Sequence, residues 1–153
     1  MNYEIVTLEE KKLAGFNART SNANPAMNAT IGGLWKQLFE TGTFFSMKNK
    51  VNEYSIGLYS DYENGAEGEY DITVGCEVSS LDEIPEGMIS KTIPGGTYAK
   101  FVCVGDMQTV VADSWKEIWA TPLNRSYTGD FEEYTSTNET GDTEVNIYIA
   151  LAD

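Results

Sequence analysis

The sequence contains no histidine. That absence removes the Ser-His-Asp triad, histidine-ligated zinc and an imidazole general base from consideration. Cysteine is almost as scarce: Cys76 and Cys103 are the only two, and they form no Cys-x-x-Cys pair. Two free buried thiols in a reducing compartment are the expected state, with a disulfide as the alternative. Positive charge is also in short supply, with 10 Lys and Arg against 24 Asp and Glu for a net charge of -14. Such a surface repels phosphate backbones and anionic headgroups, so neither direct nucleic-acid binding nor membrane binding is expected. It attracts cations, although acidity that serves only solubility is the plainer reading of charge alone.

Long apolar runs are missing too. Nothing approaches the roughly 18 residues that a membrane-spanning helix requires. The N-terminal Met1-Asn2-Tyr3-Glu4-Ile5-Val6 shows neither the basic nor the apolar region of a signal peptide. The chain therefore reads as cytoplasmic. There is no GxGxxG or GKS/GKT phosphate loop, Gly95-Gly96 reads as a turn, and no helix-turn-helix stands apart. No cofactor and no metal site is expected.

What the chain does have is 153 residues, 41% of them hydrophobic, which suits one domain over 1–153 with a real core. Tyr3 to Leu8 and Lys12 to Arg19 read as extended, and Asn24-Pro25 opens a helix. Ile31, Leu34, Trp35, Leu38 and Phe39 give that helix one buried stripe, and Thr41-Gly42 ends it. Thr43 to Glu53 reads as an irregular loop. Tyr54 to Tyr59 and Tyr70 to Val78 are strands flanking a hairpin loop from Asp61 to Glu69. After Pro85-Glu86-Gly87, Met88 to Ile93 and Thr97 to Val104 are extended. Asp106 is placed as N-cap of a helix from Met107 to Ala120, with Val111, Trp115, Ile118 and Trp119 as its stripe and Pro122 beyond it. Ser126 to Tyr134 and Thr143 to Ala152 complete the chain.

The order repeats. Leu34-Trp35-Lys36-Gln37-Leu38-Phe39 aligns without a gap to Ser114-Trp115-Lys116-Glu117-Ile118-Trp119, 80 positions on. A repeat outranks single propensities. The expected fold is α+β: a duplicated β-α-β-β unit, halves near 1–80 and 86–153, related by a pseudo-twofold axis. One antiparallel sheet would carry two helices on one face and a ligand cleft on the other. Ile56, Leu58, Ile72, Val74, Val145 and Ile147 would face the helices, leaving Tyr59, Glu77, Glu132, Tyr134 and Tyr148 to floor the cleft. Trp35 and Trp115 are read as core packing, and Trp119 as reaching the cleft rim.

The strand Asp130-Phe131-Glu132-Glu133-Tyr134 carries the chemistry. A glutamate on a strand is ordinarily solvated, but a carboxylate among phenols and indoles makes a box for a lipophilic cation. Rings supply dispersion and cation–π attraction of roughly 0.5–2 kcal/mol each, and the carboxylate supplies the counter-charge. Glu77 is a candidate second anionic wall.

Several segments together resemble the GyrI-like superfamily, the effector-binding domains of AraC- and MerR-type regulators. They are the first helix segment above, Ile56-Gly57-Leu58-Tyr59-Ser60-Asp61-Tyr62, Tyr70 to Val78, Ile93-Pro94-Gly95-Gly96-Thr97-Tyr98-Ala99-Lys100-Phe101, the strand at 130–134 and Val145-Asn146-Ile147-Tyr148-Ile149. The resemblance implies a duplicated fold with a central cleft that takes lipophilic, often cationic, aromatic compounds. It implies a ligand-binding role for the glutamate of a Phe-Glu-x-Tyr stretch, here Glu132, with Tyr134 beside it and Tyr59 and Tyr148 at aromatic cleft positions. A stand-alone binding module for such cations is the first reading. The second is a hydrolase of cyclopropane-bearing or similar electrophilic toxins, with Glu132 as the catalytic base. The third is inhibition of DNA gyrase through the acidic surface. A separate DNA-binding protein, gyrase and a second copy of this chain are the macromolecular partners these readings allow.

Overall fold

The computed structural model describes residues 2–65, 67–106, 109–137 and 142–152. The chain runs β1 (Glu4–Leu8), β2 (Lys11–Ser21), α1 (Met27–Glu40), α2 (Thr43–Ser46), β3 (Ser55–Ser60), β4 (Glu69–Val78), β5 (Ile89–Ile93), β6 (Gly96–Asp106), α3 (Val110–Ala120), β7 (Asp130–Thr137) and β8 (Asp142–Ala150). The stretch expected as a plain loop after α1 contains the short helix α2, entered through Gly42 at φ 75. Asp106 ends β6 rather than capping the helix, and Thr109 is the N-cap residue of α3. Met107, the expected first residue of that helix, lies outside the described residues.

All strands join one antiparallel sheet in the order β1-β6-β8-β7-β3-β4-β2-β5. Exchanging the halves (β1 for β5, β2 for β6, β3 for β7, β4 for β8) reproduces this order reversed. The pseudo-twofold axis therefore passes between β3 and β7, which pair as Ser55 with Tyr134, Gly57 with Glu132 and Tyr59 with Asp130. α1 and α3 occupy matching places: Leu34 and Leu38 are buried on one, Ser114 and Ile118 on the other.

Why the helices dock as they do follows from strand alternation. On β4 the even residues Ile72, Val74, Cys76 and Val78 meet Leu34 and Leu38 of α1. On β8 the odd residues Val145, Ile147 and Ile149 meet Ile118 of α3. Burying one such aliphatic side chain is worth about 2 kcal/mol. The other face has a core of its own, made by Leu13, Ile56, Leu58, Ile93, Tyr98, Phe131 and Tyr148. Val6 and Leu8 of β1 and Ile93 of β5 come from opposite edges of the sheet yet pack on this same cluster, so the sheet curls around it. Gly15 of β2 and Gly75 of β4 are directly paired. A β-carbon on Gly75 would lie 1.8 Å from the Ala14 carbonyl oxygen.

This second core revises the assignment of faces. Ile56 and Leu58 turn away from the helices, and Tyr59 turns toward them. β3 and β7, the two strands at the axis, are buried on both faces, so their apolar residues serve the curl while their polar aromatic ones serve the helix side.

A candidate ligand cleft between the paired helices

A cleft of about 490 Å³ opens on the helix-bearing face, between α1 and α3, not on the face opposite the helices. Its floor is Tyr59, Tyr70, Glu132 and Tyr134; its walls are Ile31 and Trp35 from α1 and Val111, Trp115 and Trp119 from α3. α1 packs over β2 and β4 on one side of the axis, and α3 over β6 and β8 on the other. The gap between them is the cleft.

Glu132 lies at the bottom, 2% exposed. Alternation on β7 puts Phe131 into the far core and Glu132 beneath the helices. Three donors converge on its carboxylate. The Tyr134 hydroxyl donates to Oε1 at 2.8 Å, the Tyr59 hydroxyl to Oε2 at 2.9 Å and the Trp115 indole N–H to Oε2 at 2.6 Å. All three are neutral, and Glu132 makes no salt bridge among the described residues. Burial pushes its carboxyl above the ordinary glutamate range, opposed by the three donated hydrogen bonds, which favour the ionised form. The same burial, with the Glu132 charge adding to it, raises the Tyr59 and Tyr134 phenols, so both stay protonated donors.

The rings obey the pseudo-symmetry. Trp35 stands edge-on to Tyr134 with centroids 4.9 Å apart, and Trp115 stands edge-on to Tyr59 at 5.5 Å. Each helix thus reaches over the axis to a tyrosine on β3 or β7. Gly57, the cross-strand partner of Glu132, leaves room for the Trp35 ring: a β-carbon there would come 3.2 Å from that ring and within ordinary contact, 3.5 Å, of Glu132 Oε1. Trp119, 52% exposed, stands at the mouth 6.1 Å from Trp115.

A second polar group closes one end. Asp130, fully buried, accepts from the Tyr62 hydroxyl at 2.6 Å, from Arg125 Nη2 at 2.7 Å and from the Ala150 amide at 2.8 Å. Tyr62 and Arg125 line the cleft there, and Arg125 lies 4.3 Å over the Tyr127 ring. Tyr70, its phenol raised to about 12 by burial, joins the two groups through ring contacts with Tyr59 and Tyr62.

Of the residues expected to form the site, Glu132, Tyr134, Tyr59 and Trp119 line this cleft together. Tyr148 and Glu77 do not. Tyr148 stacks on Phe131 in the far core at 4.6 Å, with Lys100 above it. Glu77 neighbours Cys76, whose side chain faces α1; it therefore points away and contacts Lys11 at 3.4 Å. Trp35 and Trp115, expected as packing alone, are cleft walls, and Tyr62, Tyr70, Arg125 and Asp130 join the surroundings unforeseen. The gap-free match of two tryptophans across the repeat was the available signal. Residues matched in this way flank a pseudo-twofold axis, and the cleft lies on it.

An internally duplicated, curled sheet that opens between its paired helices is the arrangement of GyrI-like effector-binding domains. Within that class, residues 4–151 match the sequence model of Cass2, the integron-associated effector binding protein, and the chain belongs to that family. It is 33% identical over 153 residues to YobU of Bacillus subtilis (strain 168), described as a candidate transcriptional regulator protein, with 96% of each chain covered. The crystal structure of the integron cassette protein VCH_CASS2, from the mobile metagenome of Vibrio cholerae, superposes with a TM-score of 0.80 at 32% identity, covering 98% of this chain and 95% of that one. SAV2435, solved bound to tetraphenylphosphonium, shares the fold with a TM-score of 0.78 at 16% identity, covering 97% and 94%.

Proposed function

We propose that residues 1–153 form one effector-binding domain that takes lipophilic aromatic cations in the cleft between α1 and α3, with Glu132 as counter-charge. One observation carries this reading: a buried carboxylate held only by neutral aromatic donors, beneath an open ring-lined cleft. A buried anion without a cationic partner is costly, and a bound cation would remove that cost. Tyr59, Tyr134, Trp35 and Trp115 offer ring faces and edges to the ligand's own rings. The net charge of -14 favours the approach of cations. Tetraphenylphosphonium, the compound held by SAV2435, is a cation of this kind.

The description of YobU supports a role linked to transcription. DNA contact would then fall to a separate protein, given the acidity of this chain. No helix among the described residues is long and apolar enough to cross a membrane. Cys76 and Cys103 are both free and buried, which fits a reducing compartment, and we place the protein in the cytoplasm.

The test is a titration of tetraphenylphosphonium, or of a rhodamine dye, into wild type and Glu132→Gln. Saturable binding by wild type, weakened at least about tenfold in the variant, is expected. No saturable binding, or equal binding by both proteins, sinks the reading.

A further inference from the structure

We propose that Arg125 is a second recognition point in the cleft, donating to a carbonyl oxygen carried by the ligand, so that aromatic cations bearing an ester, ketone or amide are preferred over those without one. This rests on the reading of the cleft as a cation site and adds a polar contact at the end away from Glu132.

Most buried donors along the cleft are already spent. The Tyr59 and Tyr134 hydroxyls and the Trp115 indole N–H go to Glu132, the Tyr62 hydroxyl goes to Asp130, and the Tyr70 hydroxyl goes to Asn22 at 2.9 Å. Arg125 differs. A guanidinium carries five N–H groups, and here only Nη2 is engaged, on Asp130. Nε is shut off from water and has no partner, and Nη1 has no acceptor among the described residues yet stays accessible. The side chain is only 11% exposed, so the group is short of acceptors on two of its three nitrogens in a place where water does little to replace them. An oxygen brought in by a ligand relieves that shortage. Asn22, Asn28 and Lys116 also line the cleft, but they are exposed and exchange one water contact for another.

The guanidinium is held ready. Asp130 fixes one nitrogen, and the Tyr127 ring lies 4.3 Å from the group's centre. Tyr127 itself sits at φ 54, a left-handed backbone conformation that a bulky residue seldom takes, so its neighbours and not its own preference set the shape of this loop. Asp130 also balances the charge of Arg125, so the site does not repel a cationic ligand. With Asp130 and Glu132 both nearby, a neutral oxygen suits it better than a further carboxylate. The Tyr70 ring contacts Tyr59, which holds Glu132, at 5.5 Å and Tyr62, which holds Asp130, at 5.9 Å. A cation of three or four rings reaches both points.

The test uses three dyes with one xanthylium cation and one pendant phenyl ring. Tetramethylrosamine has no group on that ring, tetramethylrhodamine methyl ester has an ester, and tetramethylrhodamine has a carboxylate. Titrated by fluorescence anisotropy, wild type is expected to bind the ester at least about tenfold more tightly than the rosamine, and more tightly than the carboxylate. Arg125→Met removes the donors and should bring the ratio of ester to rosamine affinity close to one. An arginine that only braces Asp130 would weaken both dyes alike and leave the ratio standing. Should Arg125→Met not fold, adding Asp130→Asn removes the stranded carboxylate and gives the same comparison. Equal binding of ester and rosamine by wild type overturns the inference. So does a ratio that survives the loss of Arg125, or tightest binding of the carboxylate. Binding of none of the three dyes overturns the cation-site reading itself.

Discussion

Glu132 and Gly57 are cross-strand partners at the pseudo-twofold axis, one carrying a buried carboxylate and the other no side chain at all. Exact symmetry would put the same residue at both positions. Two glutamates directly opposed would place like charges side by side, and two glycines would leave the tyrosine hydroxyls without an acceptor. The duplicated fold supplies matched walls, and the departure from duplication at this one pair supplies the charge.

From that pair comes a stability prediction. Burial raises the Glu132 carboxyl above its unfolded value. Protonation therefore favours the ligand-free fold, a contribution fully present below the unfolded value and lost as pH rises through the folded one. Glu132→Gln mimics the neutral form: its oxygen can accept from Tyr59 and Trp115 while the Tyr134 hydroxyl turns to accept from its amide. The ligand-free variant should melt a few degrees higher near neutral pH, about 1 kcal/mol. Thermal denaturation showing a fall of several degrees contradicts this.

Binding should run the other way with pH. A proton and a cation compete for the same carboxylate, so affinity is present above the raised Glu132 value and declines as pH falls through it. Tetraphenylphosphonium has no titrating group, so any pH dependence belongs to the protein. Titrations from about pH 8 to about pH 5 should show weakening in wild type and a flat profile in Glu132→Gln. A flat wild-type profile would separate the cation from this carboxylate.

Two glycine substitutions should part function from stability. A β-carbon at Gly57 meets the Trp35 ring at 3.2 Å, so Gly57→Ala tilts a cleft wall and should cost about tenfold in cation affinity with under about 1 kcal/mol in stability. At Gly75 the obstacle is backbone, 1.8 Å from the Ala14 oxygen. Gly75→Ala should cost about 3 kcal/mol or more by denaturant unfolding, with the folded fraction still binding. The reverse pattern would mean that the two sites have been misassigned.

Asp130 offers a further check on the cleft's closed end. Asp130→Ala leaves Arg125, whose side chain is 11% exposed, without its carboxylate, and leaves the Ala150 amide unpaired. A loss of about 3–5 kcal/mol is expected. Adding Arg125→Met should recover most of it, because the cost lies in a stranded charge. If the double variant unfolds no later in denaturant than the single one, the pair is not the source.

Much of this was open to a reader of the chain alone. Alternation in Tyr70 to Val78 and in Thr143 to Ala152 marks strands with one apolar face, the Leu34 and Ile118 stripes mark the helices, and the matched tryptophans mark a duplication. The composition of the strand at 130–134, a carboxylate two residues from a phenol, pointed to the residue that the cleft now surrounds. Those features are local, and each follows from one element's own period.

Which face of β3 and β7 meets the helices is not local. Alternation divides a strand into two sets without saying where either set goes, and here both sets are buried, one in the far core and one under α1 and α3. Only pairing settled it: the β3–β7 register puts Gly57 against Glu132, and the curl of the sheet draws Leu58, Phe131 and Tyr148 into one cluster away from the helices. For that reason Tyr148 and Glu77 left the expected site and Trp35 and Trp115 entered it. A side chain's neighbours across a sheet are set by strand order and curvature, which arise from the whole chain closing on itself.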